Sequence, residues 1–109
     1  MSRILVVDAD SVFTSQIKPV LESAGAMVEI TDDPRTGTEL ATSGKYVAAL
    51  VAAELPGMSG YSVCNRIKRT NGDFKVAIIS SGDTPETFAQ HQKHKNHADL
   101  YLLKDEGAD

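Results

Sequence analysis

The side chains best placed for chemistry stand at the ends of predicted strands. Asp8 follows the apolar run Arg3–Val7, and Lys104 follows the last apolar run of the chain. In an open α/β domain, ligands and reactive groups collect at the carboxyl ends of the strands. The most apolar run, 46–52, ends at a position of the same kind, but the residue there is Ala52. A reactive side chain is therefore missing at a point where one is expected.

Three histidines are the other candidates for chemistry. His91, His94 and His97 are spaced by three residues on or just after a predicted helix. Histidines at that spacing can share a metal ion, but no cysteine or carboxylate completes a set with them. Exposed polar helix residues are the simpler interpretation. The alternative is a partner-binding surface formed by His91, Lys95 and Tyr101.

The composition is that of one globular domain. The chain has 109 residues, 41% hydrophobic and 24% charged, enough to bury a single core. No apolar run could span a bilayer, and the first residues lack a signal-peptide pattern. A net charge of −4 gives no general attraction to nucleic acid. The single cysteine, Cys64, excludes an internal disulfide and predicts a reducing, cytoplasmic location.

Strands and helices are predicted to alternate along the whole chain. The predicted strands cover residues 3–7, 26–30, 46–52, 76–80 and 99–103, and the helices about 11–24, 34–43, 59–69 and 84–96. Short connections between them favour parallel βα units with right-handed crossovers. The sequence ends soon after the fifth strand, so no fifth helix is expected.

Three motifs, in this order and at this spacing, resemble response-regulator receiver domains. They are the first strand with Asp8, the loop Leu55–Gly60, and the segment Ala98–Lys104. The resemblance implies an α/β fold with a doubly wound, flavodoxin-like parallel sheet of strand order 2-1-3-4-5. It also implies a single receiver-like domain over residues 1–109, cut from a longer protein, with the fifth helix missing or truncated. The sheet face without that helix should be exposed, which is typical either of a domain cut from a longer protein or of a homodimer through that face.

Receiver chemistry uses three carboxylates that hold Mg²⁺, one of which accepts a phosphoryl group, together with a hydroxyl and a lysine. The resemblance places Asp8 at the first acidic position and Ala9 at the second. Ala52, four residues before Pro56, stands at the position of the phosphoacceptor. Alanine has no lone pair with which to attack phosphorus. With Asp8 the only remaining acid, neither a metal site nor any other cofactor is expected.

The other family positions are also altered or ambiguous. Ser81 is placed at the hydroxyl position, and Gly82 aligns nearly as well. Lys104 stands at the lysine position, with Asp8 its expected partner, and Tyr101 at that of the switch aromatic, where a packed side chain is expected. The proline that usually follows the lysine is replaced by Asp105, which predicts a rebuilt loop.

A glutamate in the loop after the third strand leaves two interpretations open. Glu54 lies two residues beyond Ala52 and could approach Lys104 as a fixed negative charge. Alternatively, it is a solvated loop carboxylate.

These features predict a degenerate receiver, or pseudo-receiver. Its segment Phe88–Asp99 resembles that of an atypical, phosphorylation-independent receiver from a gliding-motility protein. The expected function is a non-enzymatic protein-interaction module in bacterial two-component-type signalling, with a protein partner and no nucleic acid or membrane.

Two alternatives remain open. One is a conventional phosphorelay receiver whose acceptor site is altered or lies elsewhere. The other is a small nucleotide- or flavin-binding α/β domain, which would need a glycine-rich loop after the first strand. Residues 8–11 contain no glycine.

Overall fold

The computed structural model describes residues 2–104, which form five parallel strands and four helices. In chain order the elements are β1 (Ser2–Val7), α1 (Ser11–Ser23), β2 (Ala26–Thr31), α2 (Pro34–Ala41), β3 (Ala48–Ala52), α3 (Gly60–Thr70), β4 (Lys75–Ser80), α4 (Pro85–Gln92) and β5 (Leu100–Leu103). The strand order is β2-β1-β3-β4-β5. This confirms the predicted fold class and strand order for the described residues. The prediction for Asp105 lies outside them.

The inner strands contain runs of consecutive apolar residues, as is typical of parallel sheets in which helices pack on both faces. Consecutive residues of β1, Leu5, Val6 and Val7, are all completely buried, as are Val51 in β3 and Ile78 in β4. An alternating pattern would have left every second side chain in water. The sheet is therefore the centre of the core.

Each helix begins at a polar residue that stabilises its first turn. Asp10, Asp33, Ser59 and Thr84 accept a hydrogen bond from the backbone N–H three residues further along the chain. Pro34 and Pro85 stand at the first position of their helices, where no N–H is needed. These caps fix the direction in which each helix leaves the sheet edge.

Helix α4 is shorter than predicted. It ends at Gln92 rather than near Asn96. The next two N–H groups, of Lys93 and His94, donate to carbonyls only three residues back, which tightens the turn and ends the helix. Cys64 of α3 is fully buried, and burial raises the pKa of its thiol to about 12.

One face of the sheet carries an open apolar groove of about 250 Å³. Its floor comes from β1, β3, β4 and β5, and its wall from α1. Its lining includes Ile4, Leu50, Ile79, Leu102 and Ile17. Within residues 2–104, every helix is too short or too polar to cross a bilayer.

Candidate functional site

The ends of four strands bring the candidate residues to one edge of the sheet. Asp8 follows β1, Ala52 ends β3, Ser80 ends β4 and Lys104 follows β5. The register of the parallel strands places these ends side by side. Residues up to 96 positions apart in sequence therefore share one small region, as the prediction of chemistry at the strand ends required.

Lys104 and Asp8 form a buried ion pair at this edge. The Lys104 Nζ lies 2.9 Å from Asp8 Oδ2, and the side chains are only 10% and 1% exposed. The same ammonium lies 3.2 Å from Asp10 Oδ2 and 4.7 Å from the centre of the Phe13 ring. Lys104 thus has the partner that the sequence analysis expected, together with a second carboxylate and an aromatic face.

Both carboxylates of the cluster are also tied to the backbone. Asp8 Oδ1 accepts from the N–H of Asp10 at 2.9 Å, and Asp10 Oδ1 accepts from the N–H of Phe13 at 3.1 Å. Asp8 Oδ2 makes no aligned hydrogen bond, so its contact with Lys104 is one of charge. Removing Lys104 would leave the buried carboxylate of Asp8 without a counter-charge. Removing Asp8 would leave Lys104 with only the partly exposed Asp10.

The pKa values of Lys104 and Asp10 reflect this pairing. Burial acts to lower the pKa of Lys104, but the carboxylate of Asp8, followed by that of Asp10, outweighs it and raises the pKa. The pKa of Asp10 is lowered, first by the Phe13 N–H and then by Lys104. Lys104 is therefore a fixed cation at physiological pH.

The end of β3 is a closed apolar surface. Ala52 is completely buried and Ala53 is 6% exposed. The start of α3 packs directly on them: Gly60 N–H donates to the Ala53 carbonyl at 2.9 Å. A Cβ built at Gly60 would stand 1.9 Å from the Ala52 carbonyl oxygen. Ala52 therefore carries no atom that could accept a phosphoryl group. The close packing of Gly60 leaves no room for a side chain at the start of α3.

The residues at this edge do not suit Mg²⁺. The ion needs oxygen ligands in near-octahedral geometry, but Ala9 and Ala52 carry none. Oδ2 of Asp8 instead faces the ammonium of Lys104, a cation that would repel a metal ion. The remaining acid, Asp10, caps α1. In the described part of the chain, no cluster of three or more histidine, cysteine or acidic side chains has metal-binding geometry.

Glu54 does not approach Lys104 but binds the end of β4. One carboxylate oxygen accepts from Ser80 Oγ at 2.5 Å. The other accepts from the Ser81 N–H and Oγ at 3.1 and 3.2 Å. Glu54 is an exposed loop carboxylate, as the second interpretation expected, and it is also held by these hydrogen bonds.

Ser80 supplies a buried hydroxyl at this edge and was not among the residues predicted from the sequence. It is fully buried at the last position of β4, whereas Ser81, the residue chosen there, is exposed and lies beyond the strand with Gly82. The register of β4 against β5 places Ser80 here, since it pairs with Leu103, the residue before Lys104. Ser81 and Gly82 remain predictions for the hydroxyl position.

The expectation that His91 is an exposed helix residue was wrong. His91 is 6% exposed and contacts the Tyr101 hydroxyl through Nδ1. The Asn65 carboxamide is assigned with its amino group towards His91 Nε2, to which it donates at 2.8 Å, and its other hydrogen is directed to the Asn96 carbonyl at 3.1 Å. His91 is therefore an internal residue that joins α3, α4 and β5. Lys95 remains on the surface, and Tyr101 is half-buried, packed against Phe88 as expected.

This environment predicts a pH-dependent stability. Burial, and then the charges of His94 and His97, lower the pKa of His91. Protonated Nε2 would also face the Asn65 amino group. The unfolded chain therefore binds a proton below about pH 6.5 while the folded chain does not, so stability falls as the pH drops through that value.

Urea unfolding at pH 7.5 and 5.5 measures the effect. His91→Gln should lose most of this pH dependence and His94→Gln should keep it; equal slopes in His91→Gln and the wild type would contradict the assignment.

Comparisons with known proteins identify the fold and the family. The structure is similar to a CheY-like response regulator receiver domain from Methanospirillum hungatei JF-1, with a TM-score of 0.84 and 25% identity, covering 95% of this chain and 82% of that one. It is also similar to a Burkholderia pseudomallei response regulator with a phosphorylated aspartic acid, a calcium ion and citrate. That match has a TM-score of 0.82 and 25% identity, and covers 95% of this chain and 60% of the other.

The sequence is also related to curated proteins. The response regulator MprA of Mycolicibacterium vanbaalenii is 28% identical over 82 residues, which are 75% of this chain and 36% of that protein. The chain thus spans about a third of the length of such relatives. The family model for the response regulator receiver domain matches residues 4–109. Because this match runs through β1, the sheet edge and β5 alike, the chain belongs to the response regulator receiver domains, the signalling modules of two-component systems.

Proposed function

We propose that this chain is a phosphorylation-independent receiver, a non-enzymatic protein-interaction module in bacterial two-component-type signalling. The observation that carries the proposal is the buried pair of Asp8 and Lys104 beside Ala52. The last acid of the expected metal site and the expected phosphoryl-binding lysine neutralise each other. Phosphoryl transfer needs a nucleophile and positive charge directed at the phosphoryl oxygens. Ala52 supplies no nucleophile, and the charge of Lys104 is already engaged.

The rival proposal is a conventional receiver with an altered acceptor site. The Burkholderia pseudomallei protein contains a phosphorylated aspartic acid, whereas β3 of this chain ends in Ala52. Glu54, the nearest carboxylate along the chain, is held by Ser80 and Ser81. A small nucleotide- or flavin-binding domain is not retained, because the family match covers nearly the whole chain.

Amide NMR spectra with Mg²⁺ and beryllofluoride, a phosphoryl mimic, test the proposal. We expect no saturable shifts at Asp8, Ser80 or Lys104, because no carboxylate is available to bind the mimic. The Ala9→Asp/Ala52→Asp variant is the positive control, since it restores two carboxylates at the same edge. Saturable shifts in the wild-type chain would support a conventional receiver.

The partner surface that we propose lies on β5 and on the segment that follows α4. Lys95 is exposed there and Tyr101 is half-buried, while His91 supports Tyr101 from beneath rather than contacting the partner. The proposed partner is a protein, with no direct contact to nucleic acid or membrane by this domain. A cytoplasmic location and membership of a longer protein, with 1–109 as one domain, remain part of the proposal.

We also propose that the apolar groove on the sheet is a contact between two copies of the chain. Its floor includes Leu50, Ile79 and Leu102, and burying such side chains releases about 25 cal/mol per Å². Light scattering over a range of concentrations should show a mass that rises towards that of a dimer. A constant monomer mass throughout that range would contradict the homodimer.

A further inference from the structure

We propose that the turn after β4 is a carboxylate-binding site and that Glu54 of the same chain is its permanent occupant. Three donors of the turn converge on this one carboxylate: Ser80 Oγ at 2.5 Å, the Ser81 N–H at 3.1 Å and Ser81 Oγ at 3.2 Å. Glu54 comes from the loop after β3, 26 positions earlier in the chain than Ser80. The contact continues the pairing of β3 and β4, which ends with the hydrogen bond from Ala53 N–H to the Ile79 carbonyl, into the two loops.

The turn is arranged to present these donors whether or not Glu54 is bound. Ser80 is fully buried, and its Oγ accepts from the N–H groups of Gly82 at 3.2 Å and Asp83 at 2.9 Å. Because these two donors occupy the lone pairs of the hydroxyl, its own hydrogen must point away from them, towards Glu54. Ser81 adds its backbone N–H from the next residue. The site thus has a fixed donor set that suits an anionic oxygen pair.

A second contact holds the far side of the turn. The Tyr61 hydroxyl, in the first turn of α3, donates to Asp83 Oδ2 at 2.6 Å. Lys104, the lysine at this edge, is paired with Asp8 and Asp10. The turn therefore depends on hydroxyl and amide donors for its ligand, and Asp83 is already engaged.

This arrangement gives the loop after β3 one conformation without any external signal. Glu54 ties the loop to β4, while Tyr61 ties α3 to the same turn. This inference rests on the proposed function and deepens it. A domain that its partner recognises by shape alone needs contacts within the chain, such as that of Glu54, to hold the loop in one conformation. The chemical class that the turn binds is a carboxylate.

Glu54→Ala with formate as a replacement ligand tests the site. Glu54 is exposed, so a small anion in solution can reach the vacated donors. We expect the variant to lower the Tm by about 4–8 °C. Sodium formate, against sodium chloride at equal ionic strength, should recover about half of that loss. The amide signals of Ser81 and Gly82 should return towards their wild-type positions as formate saturates the site.

Glu39→Ala is the matched control, since Glu39 is exposed on α2 and far from the turn along the chain. It should change the Tm little and show no formate effect beyond that of the wild type. Equal formate effects in all three proteins, or unshifted Ser81 and Gly82 signals, would overturn the proposal. No phosphoryl donor enters this experiment, so its failure would leave the beryllofluoride result and the proposed function intact.

Discussion

Gly60→Ala is expected to destabilise the domain by about 3 kcal/mol or more, near or above the upper end for overpacked cores. An added Cβ would lie 1.9 Å from the Ala52 carbonyl oxygen and 2.9 Å from the Ala53 Cα. Both neighbours are backbone atoms of a central strand, so neither can turn aside as a flexible side chain could. At an ordinary helix position, the same substitution would stabilise by roughly 0.5–1 kcal/mol. The sign of the effect is thus decided by the close approach of α3 to the end of β3.

Urea unfolding followed by circular dichroism measures this loss, with Gly82→Ala as the matched control. A Cβ at Gly82 meets no atom within 4 Å. That variant should remain within about 0.5 kcal/mol of the wild type, as surface substitutions usually do. Equal stability of Gly60→Ala and Gly82→Ala would contradict the packing described for Ala52.

Asp8→Ala is expected to cost roughly 3 kcal/mol, because it leaves Lys104 buried without its main counter-charge. The side chain of Lys104 is only 10% exposed, and its remaining partner, Asp10, is 43% exposed. The variant also removes the acceptor for the Asp10 N–H. For a domain of this size, the Tm should fall by roughly 10–20 °C.

A double substitution separates the charge from the packing. In Asp8→Ala/Lys104→Met, no unpaired charge remains, so much of the lost stability should return. Asp32→Ala, which removes an exposed loop carboxylate, is the control for a change of one charge and should have little effect. If the double variant is no more stable than Asp8→Ala, the unpaired charge of Lys104 is not the cause of the lost stability, which would contradict the account of the ion pair.

The sheet could be predicted from sequence because its signals are local. The buried runs at β1 and β3, and the capping residues Asp33 and Ser59, each lie within a few positions of the structure that they specify. The resemblance to receiver domains then supplied the strand order, which local signals do not contain. The Asp8–Lys104 pair followed once both residues were placed at the same edge.

Errors arose where tertiary contacts decide the outcome. His91 has the sequence surroundings of an exposed helix residue, yet Asn65 and Tyr101 from other elements enclose it. Glu54 finds its donors 26 and 27 positions away. Ser80, one position before the predicted Ser81, was not considered, because an apolar run does not define which of its last residues still belongs to the strand.

Intact mass after incubation with acetyl phosphate and Mg²⁺ tests the central claim most directly. The wild-type chain should keep its mass, because Ala52 offers no nucleophile and the charge of Lys104 is engaged by Asp8. The Ala9→Asp/Ala52→Asp variant, treated in parallel, should gain one phosphoryl group and show that the reagent and the fold are competent. A gain of one phosphoryl group by the wild-type chain would contradict the account of this domain as a receiver that does not depend on phosphorylation.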